Sequence, residues 1–447
     1  MYPIESKLNF DNYYLIQMRT TKSIASRIEF KAKSGSTIYV DWGDGTKIAY
    51  PPNIDLISGA IKSSVIRVYS EVPIEKFFCI NLSLDFLDTK ENPELKVLYC
   101  SWNKLSALSL THLKDLSFLD CSNNLLMSLD ISQNINLNKL ECWKNRIKTI
   151  NISGLTALGY LDCGHNLISQ IQLRNNSSLT SLYFPHNEVQ KIAISECPNL
   201  HDFDCAYNSI SELDISKNTN LQFLACSNNN LSKLEAVFSP NLEEISCRNN
   251  QLTILSINSA NIKTIICPNN RLTSLFLTEL NTLQYLKCSH NQIEHLVFSP
   301  LASLDTLLCS HNRIQSLDVS HFNELRELSC SHNRLSSLNV EGDDDMYSLD
   351  CSFNQIVRLD LSTLDRISNL NCCNNQISEL VLSPNDTLTE LNCSGNRLQT
   401  LEIAHLSKLG KVNCKDNNLS VLSIRHPKHY NELKYDYHDN LKLTINR

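Results

Sequence analysis

The chain has 447 residues and a formal net charge of −7, a mild acidity that argues against a surface built to hold phosphates or nucleic acid. A chain of this length suits two or three globular domains, and it carries no run of about 18 apolar residues with which to span a membrane. Eighteen cysteines are a compositional excess, and their spacing decides what they mean.

The opening stretch, Met1 to Gln17, lacks a basic head followed by an apolar run, so no secretory signal is read there. Residues 1–72 read as short strands, at YYLIQMR, SRIEFKA, TIYVDW and SSVIRVYS. Between the last two, DWGDGT (Asp41 to Thr46) supplies a hairpin turn, because Asp-Gly accepts the positive dihedrals that a tight turn needs. On this motif the stretch resembles the WGDG-containing immunoglobulin-like domains of bacterial surface proteins, of polycystic-kidney-disease-repeat type. The resemblance implies a small all-β domain, placed to cover an open apolar end of the remaining chain.

Residues 73–424 are periodic. Cysteines stand at Cys79, Cys100, Cys121, Cys142 and Cys163, then Cys205, Cys226 and Cys247, then from Cys267 to Cys414. Every step is 21 residues or its double, apart from one of 20 between Cys247 and Cys267, and Phe184 fills the doubled step. Around each runs L-x-x-L-x-C-x-x-N-x-L-x-x-L-x-L; in the copy at Cys309 the apolar set is Leu304, Leu307, Ile314, Leu317 and Val319. The asparagine three residues after the cysteine recurs in sixteen successive copies, Asn103 to Asn417, while the first copy has Leu82.

This rhythm predicts a stacked solenoid. The alternating L-x-C segment suits a short strand, and stacked copies make one parallel sheet with rungs ~4.8 Å apart. A lone coil loses more in backbone order than its few apolar side chains return, and stacking reverses that balance. The asparagine amide donates and accepts at once, so it can bond backbone groups of its own coil and the next; an ionised aspartate only accepts. The string resembles a leucine-rich repeat in which cysteine replaces a leucine, similar to the cysteine-ladder repeats of bacterial internalin-like surface proteins. The resemblance implies an α/β-type leucine-rich repeat solenoid of about 17 repeats. Its parallel β-sheet forms the concave face, its convex side is irregular or 3-10 helical, and a small all-β cap domain precedes it. Residues 425–447 leave the frame and are expected to cover the other end.

Each ladder thiol reads as a small buried apolar group in a narrow coil. Parallel Cβ vectors one rung apart do not suit a disulfide, and an evenly spaced column offers no tetrahedral set for a metal. Three residues stand apart: Phe184 is expected to widen its coil or shift its neighbours, Cys373 to point as a thiol toward the outer face, and Cys197 to be partly exposed. Cys309 and His311 look like a catalytic pair until the frame turns one inward and sets the other on the outer rim. His290, His311 and His332 then stack in a row, read as solvated rather than metal-binding. Cys414-Lys415-Asp416 resembles the Cys-x-Asp motif of bacterial leucine-rich-repeat ubiquitin ligases, but that motif lies in a separate helical domain and Cys414 is in ladder frame. The acidic run Glu341–Asp345 reads as a solvated turn.

The resemblance implies that ligands sit on the strand face, at the positions three and one before the cysteine and one and two after it. In the first half these are aromatic and acidic: Tyr99, Trp102, Phe118, Asp120, Glu141, Trp143, Tyr160, Asp162, His165, Tyr183, His186, Asp202, Asp204, Tyr207 and Phe223. Later copies carry serine, asparagine and histidine, with exceptions such as Ile266, Tyr285 and Leu308. Aromatics beside acids are what an interface hot spot looks like. The expectation is a non-catalytic, monomeric scaffold for a protein or peptide partner, a glycan being the alternative ligand, with no cofactor and no metal. An effector or enzyme whose repeats recruit substrate, or a structural adhesion spacer at the cell surface, are the competing readings. The start at Met1 without a signal points to the cytoplasm, whereas the resemblance implies secretion or a bacterial surface.

Overall fold

The computed structural model describes residues 10–52, 54, 56–298, 303–342, 344–384 and 386–446. Residues 1–9, part of the stretch read for a signal, and Asp343 of the acidic run lie outside them. Two compact units emerge, Met1–Asn230 and Leu231–Arg447.

The first unit begins with β1 (Tyr14–Thr20), β2 (Arg27–Lys33), β3 (Ile38–Asp41), β4 (Lys47–Tyr50), β5 (Ile57–Ala60), β6 (Val65–Ser70), β7 (Lys76–Phe78) and β8 (Leu84–Asp88). Each of the four expected stretches holds a strand; β4 and β5 carry weaker alternation and are not marked in the sequence. Strands β4-β3-β6-β1-β8 form an antiparallel sheet. The β3–β4 turn is locked by Asp41, whose Oδ1 accepts the N–H groups of Gly43 at 2.8 Å and Gly45 at 2.9 Å. Gly45 sits at φ 83°, as the Asp-Gly step requires. Trp42 is buried under Gly59, where an added Cβ would lie 2.3 Å from the indole. Antiparallel β2 pairs with β7, which in turn pairs in parallel with Val97–Tyr99, so the first rung's outer backbone groups have partners.

From there three-residue strands repeat in parallel register: Val97–Tyr99, Phe118–Asp120, Lys139–Glu141, Tyr160–Asp162, Ser181–Tyr183, Asp202–Asp204 and Phe223–Ala225. The central residue of each faces the interior, from Leu98 to Leu224, and is fully buried. The residue that comes next is also buried, a cysteine thiol in every copy but the one with Phe184. In the second unit the same ladder runs from Glu244–Ser246 to Glu432–Lys434. The 20-residue step leaves no slip, since Glu244 still faces Thr264. Leu304, Leu307, Ile314, Leu317 and Val319 are all buried as expected.

Two residues past each cysteine the chain turns through the left-handed region, at φ 58° for Trp102, 51° for Lys144 and 55° for His311. That conformation disfavours most side chains by about 1 kcal/mol, and the next residue, the ladder asparagine, holds it. Asn124 Nδ2 donates to the carbonyls of Cys100 and Cys121, both at 3.0 Å, and its Oδ1 accepts the Leu105 N–H at 3.0 Å. The second unit repeats this at Asn312, which donates to Cys288 and Cys309 and accepts from Ile293. The two-coil bonding expected of the asparagine is therefore present in both units.

A second asparagine row has no counterpart among the sequence expectations. Asn134, Asn176 and Asn218 are fully buried on the side away from the ladder; Asn134 Nδ2 donates to Leu110 O at 3.0 Å and Asn218 Nδ2 to Cys197 O at 2.8 Å. They alternate with Leu113, Leu155 and Cys197 in the same frame. This corrects the expectation for Cys197, which is fully buried because it takes the place of a core leucine. Cys373 is a thiol as expected but is covered, at 6% exposure, because the turn folds its position back against the ladder; serines there, such as Ser122, are covered too. At Phe184 the rungs do not open: Cys163 N–H to Tyr183 O and Phe184 N–H to Asp204 O both measure 2.9 Å. The same repeat carries Val189 where the others carry leucine or isoleucine, which offsets part of the added volume.

The solenoid of stacked parallel strands is as expected, but its α/β type is not borne out. Away from the ladder the coils run through turns and short parallel strands, such as Thr149–Asn151 with Gln170–Gln172 and Ser274–Leu277 with His295–Phe298. Among the described residues the sole helical piece is the 3-10 turn Pro427–His429. A 21-residue coil leaves too few residues between rungs for a helix. Glu432–Lys434 and Lys442–Asn446 pair in parallel with the preceding coil, so the last residues add one more rung. Among the described residues no helix is long and apolar enough to cross a membrane.

Candidate functional site

Because alternate residues of a strand face opposite ways, burying the central leucine turns the residues three and one before the cysteine outward. In the first unit this aligns two rows. One runs Phe118, Lys139, Tyr160, Ser181, Asp202 and Phe223, the other Tyr99, Asp120, Glu141, Asp162, Tyr183 and Asp204. The Phe78, Tyr99 and Phe118 rings stack with centres 4.8 and 4.5 Å apart. Tyr160 and Tyr183 lie 5.5 Å apart, and Trp102 meets Trp143 edge to face at 6.3 Å. Phe78, directly before Cys79, extends this row into the first copy, where the sequence reading names no contact residue.

The acids divide in two. Asp120, Asp162 and Asp204 each accept the N–H two residues on, at 3.0, 3.0 and 2.8 Å, and so brace the turn. Asp120 is covered, at 9% exposure, which corrects its reading as an open contact residue. Asp162 and Asp204 are half-buried. Desolvation, with Glu141 and Asp204 adding to it, pushes the Asp162 carboxyl up to about 6, and desolvation also raises Asp204. Glu141 and Asp202 are bonded sideways instead, to Lys139 at 2.7 Å and to the Ser181 hydroxyl at 3.2 Å.

Trp102, His165, His186 and Tyr207 are exposed; Tyr99, Phe118, Glu141, Trp143, Tyr160, Tyr183, Asp202 and Phe223 are half-buried. The exposed four occupy the left-handed position, and three of them, His165, His186 and Tyr207, stack nearly parallel with ring centres 4.2 and 4.0 Å apart. In the second unit His290, His311, His332 and Phe353 stack at 4.2, 4.1 and 4.1 Å. Burial first, then the neighbouring ring, lowers the pKa of His290 and His311. Parallel stacked imidazoles aim their lone pairs alongside one another, not at a common point. Cys309 lies inside with its thiol pushed up to about 12, while His311 is outside on the turn, so the two are not a pair.

The second unit's face is polar. Ser348, Asp350, Asn371, Glu390, Asn392 and Asn413 help to line a shallow groove of ≈ 360 Å³. Ile266 and Leu308 lie in another hollow, of ≈ 410 Å³, beside Lys287. Asp345 of the acidic run pairs with Arg366 at 2.6 Å.

No protein-family model and no curated protein matches the chain. Solved structures do match it. The functional domain of InlJ from Listeria monocytogenes, which includes a cysteine ladder, aligns with a TM-score of 0.55 at 20% identity, over 82% of this chain and 77% of that one. A leucine-rich-repeat protein of Leptospira interrogans gives 0.59 at 22% identity over 79% and 91%, and YopM from Yersinia enterocolitica 0.58 at 21% over 83% and 91%. The receptor kinase HAESA of Arabidopsis, solved in complex with a peptide hormone and a co-receptor, gives 0.57 at 17% over 83% and 78%. The fold is that of a leucine-rich repeat solenoid with a cysteine ladder.

Proposed function

We propose that the chain is a non-catalytic scaffold that binds a protein or peptide partner on the outward strand face of its first unit. The observation that carries this reading is the contiguous run of aromatic and acidic side chains from Tyr99 to Tyr207, of which Trp102 is 54% exposed and Tyr207 40%. Large rings left in contact with water cost the isolated chain, and a partner that covers them recovers that cost. The peptide hormone bound by HAESA, a protein of the same fold, supports a peptide or protein rather than a small molecule. Trp102→Ala with Trp143→Ala is expected to abolish partner capture from a host extract while moving the thermal midpoint by less than about 2 °C. Undiminished capture by the double variant rejects the reading.

We further propose that residues 1–72 form an immunoglobulin-like cap, as their WGDG motif suggests, and that residues 425–447 close the other end. The β2–β7 pairing supports the first, because it gives the first rung a partner on its outer edge. Removing residues 1–72 is expected to cause concentration-dependent association of the remaining solenoid, read by light scattering; a monodisperse truncated chain would refute the capping role.

A further inference from the structure

The first unit already holds two ammonium groups against rings on this face, Lys144 Nζ 5.1 Å from the centre of Trp143 and, more closely held, Lys139. Lys139 Nζ lies 4.5 Å from the centre of the Tyr160 ring and 5.5 Å from that of Phe118, and it pairs with Glu141 at 2.7 Å. A cation over two π-faces with a carboxylate beside it is a favourable arrangement even at a wet surface. Its row runs Phe118, Lys139, Tyr160, Ser181 and Asp202 in register, so a ring flanks the lysine on each side.

Two rungs further on, that row shrinks to a serine. Ser181 has Tyr160 as its neighbour on one side and Asp202 on the other, and its hydroxyl donates to Asp202. In the adjoining row Asp162, Tyr183 and Asp204 are likewise in register. With rungs ~4.8 Å apart, a cationic head above Ser181 would find a ring, a second ring and three carboxylates around it. Lys139 is committed to Glu141, and among the described residues no lysine or arginine forms an ion pair with Asp162, Asp202 or Asp204. The outward rows and turns of this stretch hold five acids, Asp120, Glu141, Asp162, Asp202 and Asp204, against two lysines, Lys139 and Lys144.

Resting on the reading of this face as a binding surface, we propose that the gap over Ser181 receives a lysine or arginine side chain of a basic, extended segment of the partner. The incoming cation lies between Tyr160 and Asp202 as Lys139 lies between Phe118 and Tyr160. An acidic peptide meets repulsion here, and a neutral glycan leaves the carboxylates without counter-charge.

The probe is a fluorescein-labelled octapeptide of alternating lysine and serine, titrated against the full chain by anisotropy at low salt, with a glutamate–serine octapeptide as control. The lysine peptide is expected to bind saturably and the glutamate peptide not to bind. Ser181→Lys, which plugs the gap with the chain's own ammonium, is expected to weaken the lysine peptide about tenfold or more, and Asp202→Asn severalfold, with thermal midpoints kept. Lysine-peptide binding untouched by both folded variants, or equal binding of the glutamate peptide, overturns the proposal. Partner capture separates the two levels. If Ser181→Lys leaves capture intact while the double tryptophan variant abolishes it, the cation gap is wrong and the scaffold stands. If neither diminishes capture, both fall.

Discussion

In the first unit the row one residue before the cysteine runs Tyr99, Asp120, Glu141, Asp162, Tyr183 and Asp204; in the second its later rungs read Ser329, Asp350, Asn371, Asn392 and Asn413. Behind both rows lie the same buried leucines, the same thiols and the same asparagine amides. The contrast separates two jobs within one repeat. Interior columns change seldom and then from one buried apolar group to another, as at Phe184 and Cys197, whereas the outward rows change freely. Asn392 shows how little bracing needs charge: its Oδ1 accepts the Ser394 hydroxyl at 2.8 Å, on the equivalent of the turn that Asp162 braces in the first unit by accepting the Gly164 N–H. Where this row braces the turn an uncharged acceptor is enough, and the carboxylates of the first unit therefore supply more than the turn requires.

The strongest test of the shared interior is to damage it once in each unit. Asn145→Asp and Asn312→Asp each set a carboxylate against two carbonyl oxygens, those of Cys121 and Cys142 or of Cys288 and Cys309. Each is expected to lower stability by about 3 kcal/mol or more, read as the urea midpoint of its own unit; a harmless substitution in either would end the claim of a common interior.

A smaller effect, confined to the first unit, concerns Asp162. Its folded-state carboxyl titrates at about 6, above the ordinary value near 4. Between those values the folded chain keeps a proton that the unfolded chain has released, so stability falls as pH rises through the window and stays lowered above it. Glu141 and Lys139 face this carboxyl from the rung before, Tyr160 and Tyr183 stand on its own strand and the next, and Asp204 lies two rungs on. Asp162→Asn keeps the acceptor for the Gly164 N–H and removes the charge. It is expected to raise the thermal midpoint at pH 7 and to leave it unchanged below about pH 4; an unchanged midpoint at pH 7 would contradict the desolvation account.

The smallest effect belongs to the second unit's ring stack. Asparagine tolerates the left-handed turn that His311 adopts at φ 55°. His311→Asn is therefore expected to change stability by less than about 0.5 kcal/mol, losing ring contact and easing the backbone. A larger loss, measured by the same urea titration, would make the stack a structural column in its own right.

What the sequence disclosed came from repetition. The thiol column, the asparagine amides and the inward leucines are written in copy after copy, so their frame is plain even where Phe184 replaces a cysteine. The left-handed turn is not written in any one residue type, since tryptophan, lysine, histidine, tyrosine, asparagine and glycine all occupy it; hence no residue in the string announces the covering of Cys373 and Ser122. Lys139 is neither aromatic nor acidic, and its place between two rings depends on register across three rungs. Cys197 is recognisable as a core position only beside the second asparagine row.

That second row has a further consequence. Asn134, Asn176 and Asn218 belong to the same three repeats as Asp120, Asp162 and Asp204, with Asp162 lying 42 residues after Asp120 and Asn176 42 after Asn134. Across these three repeats the first unit thus counts in pairs of coils on both sides, whereas in the first copy Asn92, buried in the same frame, stands with Phe78. Lengthening or trimming the three-repeat stretch by an even number of coils preserves both patterns, while an odd number throws front and back out of step together. Parity, more than length, is what any gain or loss of repeats in this part of the chain has to respect.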